Sequence, residues 1–158
     1  MMKTNFRKET MMTDVNNATI LIIEDDPGHS RLIEKNLRRA NVKNGIIKVT
    51  DGRQALDYLF EEGEYAGQKR ASSLLVLLDL NLPVFSGIQV LRRMRENDSA
   101  KLIPVIILTT SDDNHDISRC YELGCNVYVT KPVDYGKFSE AVQKLGLLLS
   151  VASVPERS

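Results

Sequence analysis

Tryptophan is absent from the 158 residues, aromatics make up 6%, and there are only two cysteines and nine glycines. Each shortage excludes a class of protein. Cys120 and Cys125 have no second pair with which to complete a zinc site or a disulfide framework, so they read as buried thiols of a reducing compartment. The few glycines form none of the phosphate-cradling loops of dinucleotide or P-loop enzymes. No apolar run approaches the ~18 residues of a membrane span, and the opening Met1-Met2-Lys3-Thr4-Asn5 leads into no signal-like apolar core. Lys+Arg and Asp+Glu number 21 each, a net charge of zero without a block of either sign. Neither nucleic acid nor a membrane is therefore expected as a partner, and the expectation is a cytoplasmic protein.

What the chain does contain is 42% hydrophobic residues, enough at this length for one domain that buries roughly 70% of its unfolded surface. The polar, aperiodic stretch 1–17 reads as a disordered N-terminal extension; 18–149 is the folded domain and 150–158 a C-terminal tail. Within the domain, short apolar runs alternate with segments of helical period, the pattern of βαβ units in a parallel sheet. Five strands are predicted, at Ile20–Ile23, Ile46–Val49, Leu74–Leu78, Ile103–Leu108 and Asn126–Thr130. The first, third and fourth are apolar without alternation, as strands covered on both faces are. The helices between them carry one-sided apolar stripes, such as Leu32, Ile33 and Leu37 in the first and Phe138, Val142, Leu145 and Leu149 in the fifth. The polar stretch Glu61 to Ser73 is longer than most connections of its type, which makes it a candidate for partner specificity.

In an open parallel sheet the loops at the carboxyl ends of the strands converge on one crevice, where ligands bind. The first strand ends in Glu24-Asp25-Asp26, the third in Asp79-Leu80-Asn81, the fourth in Thr109-Thr110-Ser111 and the fifth in Lys131-Pro132. Any one of these is an ordinary loop or helix-cap residue; the set is not. Adjacent acids beside Asp79 repel unless a cation compensates them. Mg²⁺ fits, since it takes one or two carboxylates and leaves room for phosphate oxygens. A carboxylate can attack a phosphoryl group to form an acyl phosphate, while Lys131 and a threonine hydroxyl suit recognition of its oxygens.

These motifs, Ile22-Ile23-Glu24-Asp25-Asp26, Leu77-Leu78-Asp79-Leu80-Asn81-Leu82-Pro83, Leu108-Thr109-Thr110 and Tyr128-Val129-Thr130-Lys131-Pro132, resemble in type and order those of the receiver domains of two-component response regulators. The resemblance covers about Ala18 to Leu149. It implies a doubly wound, flavodoxin-like α/β fold with five parallel strands in the order 2-1-3-4-5 and five helices. It also implies that Asp79 is the phosphoacceptor, that Asp25 and Asp79 ligate Mg²⁺ directly, Glu24 through water and Asn81 through its backbone carbonyl. Thr109 and Lys131 are then the phosphoryl-binding pair, Tyr128 the aromatic switch coupled to Thr109, and Lys131–Pro132 a cis peptide bond. Asp26 falls one residue past the matched acidic pair and is given no metal role.

A narrower resemblance links Ala55-Leu56-Asp57-Tyr58-Leu59-Phe60, the loop with Gly63 and Tyr65, and Thr109-Thr110-Ser111-Asp112-Asp113 to the small regulators paired with phytochrome-class histidine kinases. That subfamily implies a sensor histidine kinase as partner, signalling by protein contact with no output domain, and a homodimer through the last helix and strand. Leu147, Val151 and Val154 are the candidate dimer face. Three rival readings are weaker. A haloacid-dehalogenase-type phosphatase needs a second Asp where Asn81 stands, and a flavin carrier needs a hydroxyl-rich loop where Glu24-Asp25-Asp26 stand. A phosphorylation-independent pseudo-receiver has every site position filled against it. His29 and His115, in the first turns of helices one and four, are read as plain surface residues.

Overall fold

The computed structural model describes residues 11–14, 17–149 and 152–156. Among the described residues seven strands run in chain order, β1 (Met11–Asp14), β2 (Thr19–Ile23), β3 (Ile46–Val49), β4 (Leu74–Leu78), β5 (Val105–Thr109), β6 (Val127–Thr130) and β7 (Ser153–Glu156). The helices are α1 (Pro27–Arg39), α2 (Gly52–Phe60), α3 (Gly87–Glu96), α4 (Asn114–Glu122) and α5 (Tyr135–Leu149). Strands β2 to β6 form a parallel sheet in the spatial order β3-β2-β4-β5-β6. This is the expected 2-1-3-4-5 arrangement with five helices.

The unbroken apolar runs become the buried centre of the sheet because alternate side chains serve opposite faces. Leu21, Ile23, Val76, Leu78, Val105 and Ile107 belong to one core with Leu59 of α2, Leu91 and Met94 of α3 and Cys120 of α4. Ile20, Ile22, Leu75, Leu77, Ile106 and Leu108 belong to the other, with Ile33 and Leu37 of α1 and Phe138, Val142 and Leu145 of α5. Both cysteines are buried free thiols; burial pushes the Cys120 thiol up to about 11. Tyr121 on α4 lies half exposed, with its hydroxyl accepting the Tyr128 backbone N–H.

The chain ends differ from expectation. Met11–Asp14 and Ser153–Glu156, placed by the sequence in a disordered extension and a tail, pair antiparallel as a two-stranded ribbon. A pairing between segments so far apart in the chain leaves no local periodicity to read. Residues 1–10, 15 and 16 of the expected extension lie outside the described residues. Val154 is buried in the core on the α1/α5 face, so it is not part of an exposed dimer face. The return of β7 alongside β1 turns it inward. Val151 lies outside the described residues, and Leu147 is exposed.

The long connection after α2 is tethered rather than loose. It opens on Glu61 in the left-handed conformation and makes a short 3-10 turn at Gly63–Tyr65. Tyr58 accepts the Ala71 N–H at 3.0 Å and meets the edge of the Tyr65 ring. No helix among the described residues is long and apolar enough to cross a membrane.

Candidate functional site

The four parallel strands β2, β4, β5 and β6 deliver polar residues to one end of an otherwise apolar sheet. Glu24 follows β2, Asp79 follows β4, Thr109 closes β5 and Lys131 follows β6, and all four are buried. Buried ionisable groups are tolerated only when paired and hydrogen-bonded, and here each finds its partner in the set. The Thr109 hydroxyl donates to Asp79 Oδ1 at 2.8 Å. Lys131 Nζ donates to Asp79 Oδ2 at 3.0 Å and to Glu24 Oε1. The Asn81 N–H donates to Asp79 Oδ1 at 3.1 Å. Burial pushes the Glu24 carboxyl above the ordinary range, against the pull of the Lys131 ammonium beside it.

Carboxylate oxygens of Glu24, Asp25 and Asp79 come within 4.8 Å of one another. Three oxygen donors this close, one of them on the exposed Asp25, suit a hard divalent cation that keeps part of its water shell. Asp26 does other work, as expected. It caps α1, accepting the N–H groups of Gly28 and His29 at 2.8 and 3.2 Å. Those bonds hold its carboxyl below the ordinary range.

The loop after Asp79 is held by close backbone approach. A Cβ at Gly87, the first residue of α3, would overlap the Asp79 carbonyl, and one at Gly52 would overlap that of Phe85. Glycine is required at both positions by contact rather than by dihedral freedom. Two guanidinium groups also lie over the Phe85 ring, Arg53 at 5.1 Å and Arg93 at 5.3 Å from its centroid. Val84, between these fixed points, has φ 70°, an uncommon and strained conformation for a β-branched residue. On the far side, the Tyr128 hydroxyl donates to the Ser111 carbonyl at 2.7 Å, tying the expected switch residue to the loop that leaves Thr109.

Two readings of the sequence need correction. The Lys131–Pro132 bond is trans, since no cis bond occurs among the described residues. Trans is the intrinsically favoured X–Pro isomer by about 0.5–1 kcal/mol, and with it Lys131 still reaches both carboxylates. His29 is not a plain surface residue. Its Nδ1 lies 3.3 Å from Lys131 Nζ, and its ring stacks on Phe138 of α5 with centroids 5.6 Å apart. Helical spacing carried the signal, because His29 stands four residues before the buried Ile33, on the same face of α1.

Residues 20–143 match the family model for the response regulator receiver domain. The chain is 54% identical to a solved response regulator receiver domain from Rhodospirillum rubrum, with a TM-score of 0.83 over 89% of this chain and 99% of that one. It is 39% identical over 122 residues to response regulator Rcp1 of Synechocystis sp., 76% of this chain and 82% of that protein. The crystal structure of a Mn(2+)-bound form of response regulator Rcp1 matches with a TM-score of 0.81 at 35% identity, over 87% and 99% of the two chains. The phosphorylated cyanobacterial phytochrome response regulator RcpA matches with a TM-score of 0.74 at 36% identity, over 82% and 91%.

Proposed function

The chain belongs to the response regulator receiver domain family, and we propose that it accepts a phosphoryl group on Asp79 from the phosphohistidine of a sensor kinase and signals that state through protein contacts. The observation that carries this is the buried chain Thr109–Asp79–Lys131–Glu24, open beside Asp25 to a divalent cation. An Asp79 carboxylate oxygen forms the new O–P bond while the P–N bond to the kinase imidazole breaks, the imidazole taking the electron pair. Asp25 and Asp79, with Glu24 through water and the Asn81 carbonyl, would hold Mg²⁺, which when bound offsets the charge of the carboxylates and the phosphoryl oxygens. The similarity to a Mn(2+)-bound Rcp1 supports a divalent ion at these residues.

The side chains around Asp79 have matching tasks. The Thr109 hydroxyl, free to rotate, turns from Asp79 Oδ1 to a phosphoryl oxygen. Lys131 exchanges a carboxylate for another phosphoryl oxygen as a charge-assisted donor. Movement of Thr109 shifts the Ser111 carbonyl and with it the Tyr128 hydroxyl, so the switch reaches the β5–α4 face. The chemistry is confined to the protein's own phosphorylation and dephosphorylation.

Similarity to RcpA supports a phytochrome-class kinase as the donor. The exposed Leu147 and Leu148 at the end of α5 support a homodimer contact there, now without Val154. The test is intact-mass spectrometry with acetyl phosphate. A gain of one phosphoryl group that requires Mg²⁺ and is lost in Asp79→Asn is expected. No gain, or a gain unchanged in Asp79→Asn, would remove the reading.

A further inference from the structure

Lys131 is a buried ammonium with three N–H donors, and three acceptors surround it. Two are the carboxylates of Glu24 and Asp79. The third is Nδ1 of His29, at 3.3 Å. A lysine head on its four-carbon stem has no orientation of its own; the groups its hydrogens meet decide where it points. We infer that His29 is a positioning residue for Lys131, its Nδ1 lone pair taking the third N–H and so aiming the other two at Glu24 and Asp79. The inference rests on the reading of Asp79 as phosphoacceptor and Lys131 as its cationic partner.

The imidazole is itself held in place. Its ring lies on that of Phe138 at an interplanar angle of 26°, and Phe138 is buried between α1 and α5. Its backbone N–H is fixed by the Asp26 cap. The carboxylates nearest to Nδ1, Asp26 Oδ2 at 3.8 Å and Glu24 Oε1 at 4.0 Å, stand outside hydrogen-bonding distance. Because an ammonium only donates, this role requires an Nδ1 without a proton, with the ring proton on Nε2. When Lys131 exchanges a carboxylate for a phosphoryl oxygen it keeps the His29 bond as a pivot, and the ammonium arrives already oriented.

Two variants separate this role from simple packing. His29→Phe keeps a ring against Phe138 and removes the acceptor, whereas His29→Asn removes the ring and keeps an acceptor oxygen at the position of Nδ1. With acetyl phosphate and Mg²⁺, the rate of Asp79 labelling followed by intact mass should fall about 3- to 10-fold in His29→Phe, as for one lost hydrogen bond. It should return to within about twofold of the parent in His29→Asn. An unchanged rate in His29→Phe, or no recovery in His29→Asn, would overturn the inference. Absence of labelling in the parent, or labelling in Asp79→Asn, would instead strike the phosphoacceptor reading beneath it. Nitrogen-15 NMR of the unmodified protein supplies a readout independent of any variant. An unprotonated Nδ1 on His29 is expected, and an Nδ1–H tautomer would overturn the assignment.

Discussion

Polar side chains collect at both ends of the parallel sheet, and the two ends use them differently. At the amino end Asn44, Arg38, Asn126 and Arg95 bond to backbone. Asn44 donates to the Ala18 carbonyl at 2.7 Å, Arg38 to those of Val42 and Asn44, and Asn126 accepts the Val105 N–H. Arg95 alone reaches four carbonyls, of Leu123, Lys101, Ile103 and Gly124. At the carboxyl end the partners are other side chains, Glu24, Asp79, Lys131, Thr109 and His29. A charge bonded to a peptide carbonyl has nothing to exchange with, because the carbonyl cannot leave. Charges bonded to one another can re-pair when a cation or a phosphoryl group enters. The first arrangement fixes loops; the second is a switch.

Breaking the exchangeable end should have the largest effect. Lys131→Met leaves Glu24 and Asp79 buried without their ammonium, and removing one partner of such a pair costs about 3–5 kcal/mol. Mg²⁺ should recover part of that loss, so the rise in Tm on adding Mg²⁺ should be greater in Lys131→Met than in the parent. Equal rises would show that the carboxylates are not available for re-pairing. Breaking the fixed end should behave otherwise. Arg95→Ala strips four carbonyls of their donor and should cost about 2 kcal/mol, measured by urea unfolding, with no dependence on Mg²⁺ and an unaltered rate of Asp79 labelling.

A smaller effect, of opposite sign, is expected in the loop after Asp79. Val84 is exposed and held at φ 70°, and Val84→Asn, which tolerates that conformation, should raise stability by about 0.5–1 kcal/mol. The smallest concerns a group in neither network. Cys120 is raised from 9.0 to about 11 by burial, so folding favours its protonated form. Its contribution should therefore be intact at neutral pH and decline as pH climbs from about 9 towards 11. At pH 8 the thiol should resist alkylation until the protein is unfolded, and rapid alkylation of the native protein would contradict its burial.

Much of this was legible in the chain. The runs Leu74–Leu78 and Ile103–Leu108 read as central strands because burial on both faces removes alternation, and that placed Asp79 and Thr109 at one end of one sheet. Asp25, Glu24 and Lys131 followed from the same reasoning about strand ends. What stayed hidden depended on contacts between distant segments. The ribbon of Met11–Asp14 with Ser153–Glu156 joins the two ends of the described chain, and its formation buries Val154. The spacing of His29 to Ile33 marked its inward face, but its contact with Lys131 appears only when β6 brings Lys131 beside the first turn of α1. The boundary of β5 also moved, from Ile103 to Val105, since Pro104 has no N–H to offer a ladder.

On the proposed function, one carboxylate in this cluster, that of Asp79, takes the phosphoryl group while its neighbours manage charge. Trapping tests it directly. Protein labelled with acetyl phosphate and Mg²⁺ is reduced with borohydride, which converts an aspartyl phosphate to homoserine, and digested for peptide mass spectrometry. Homoserine at position 79 alone is the expected result. Homoserine at position 25 or 26, or a phosphoryl group found on His29 in its place, would contradict the account.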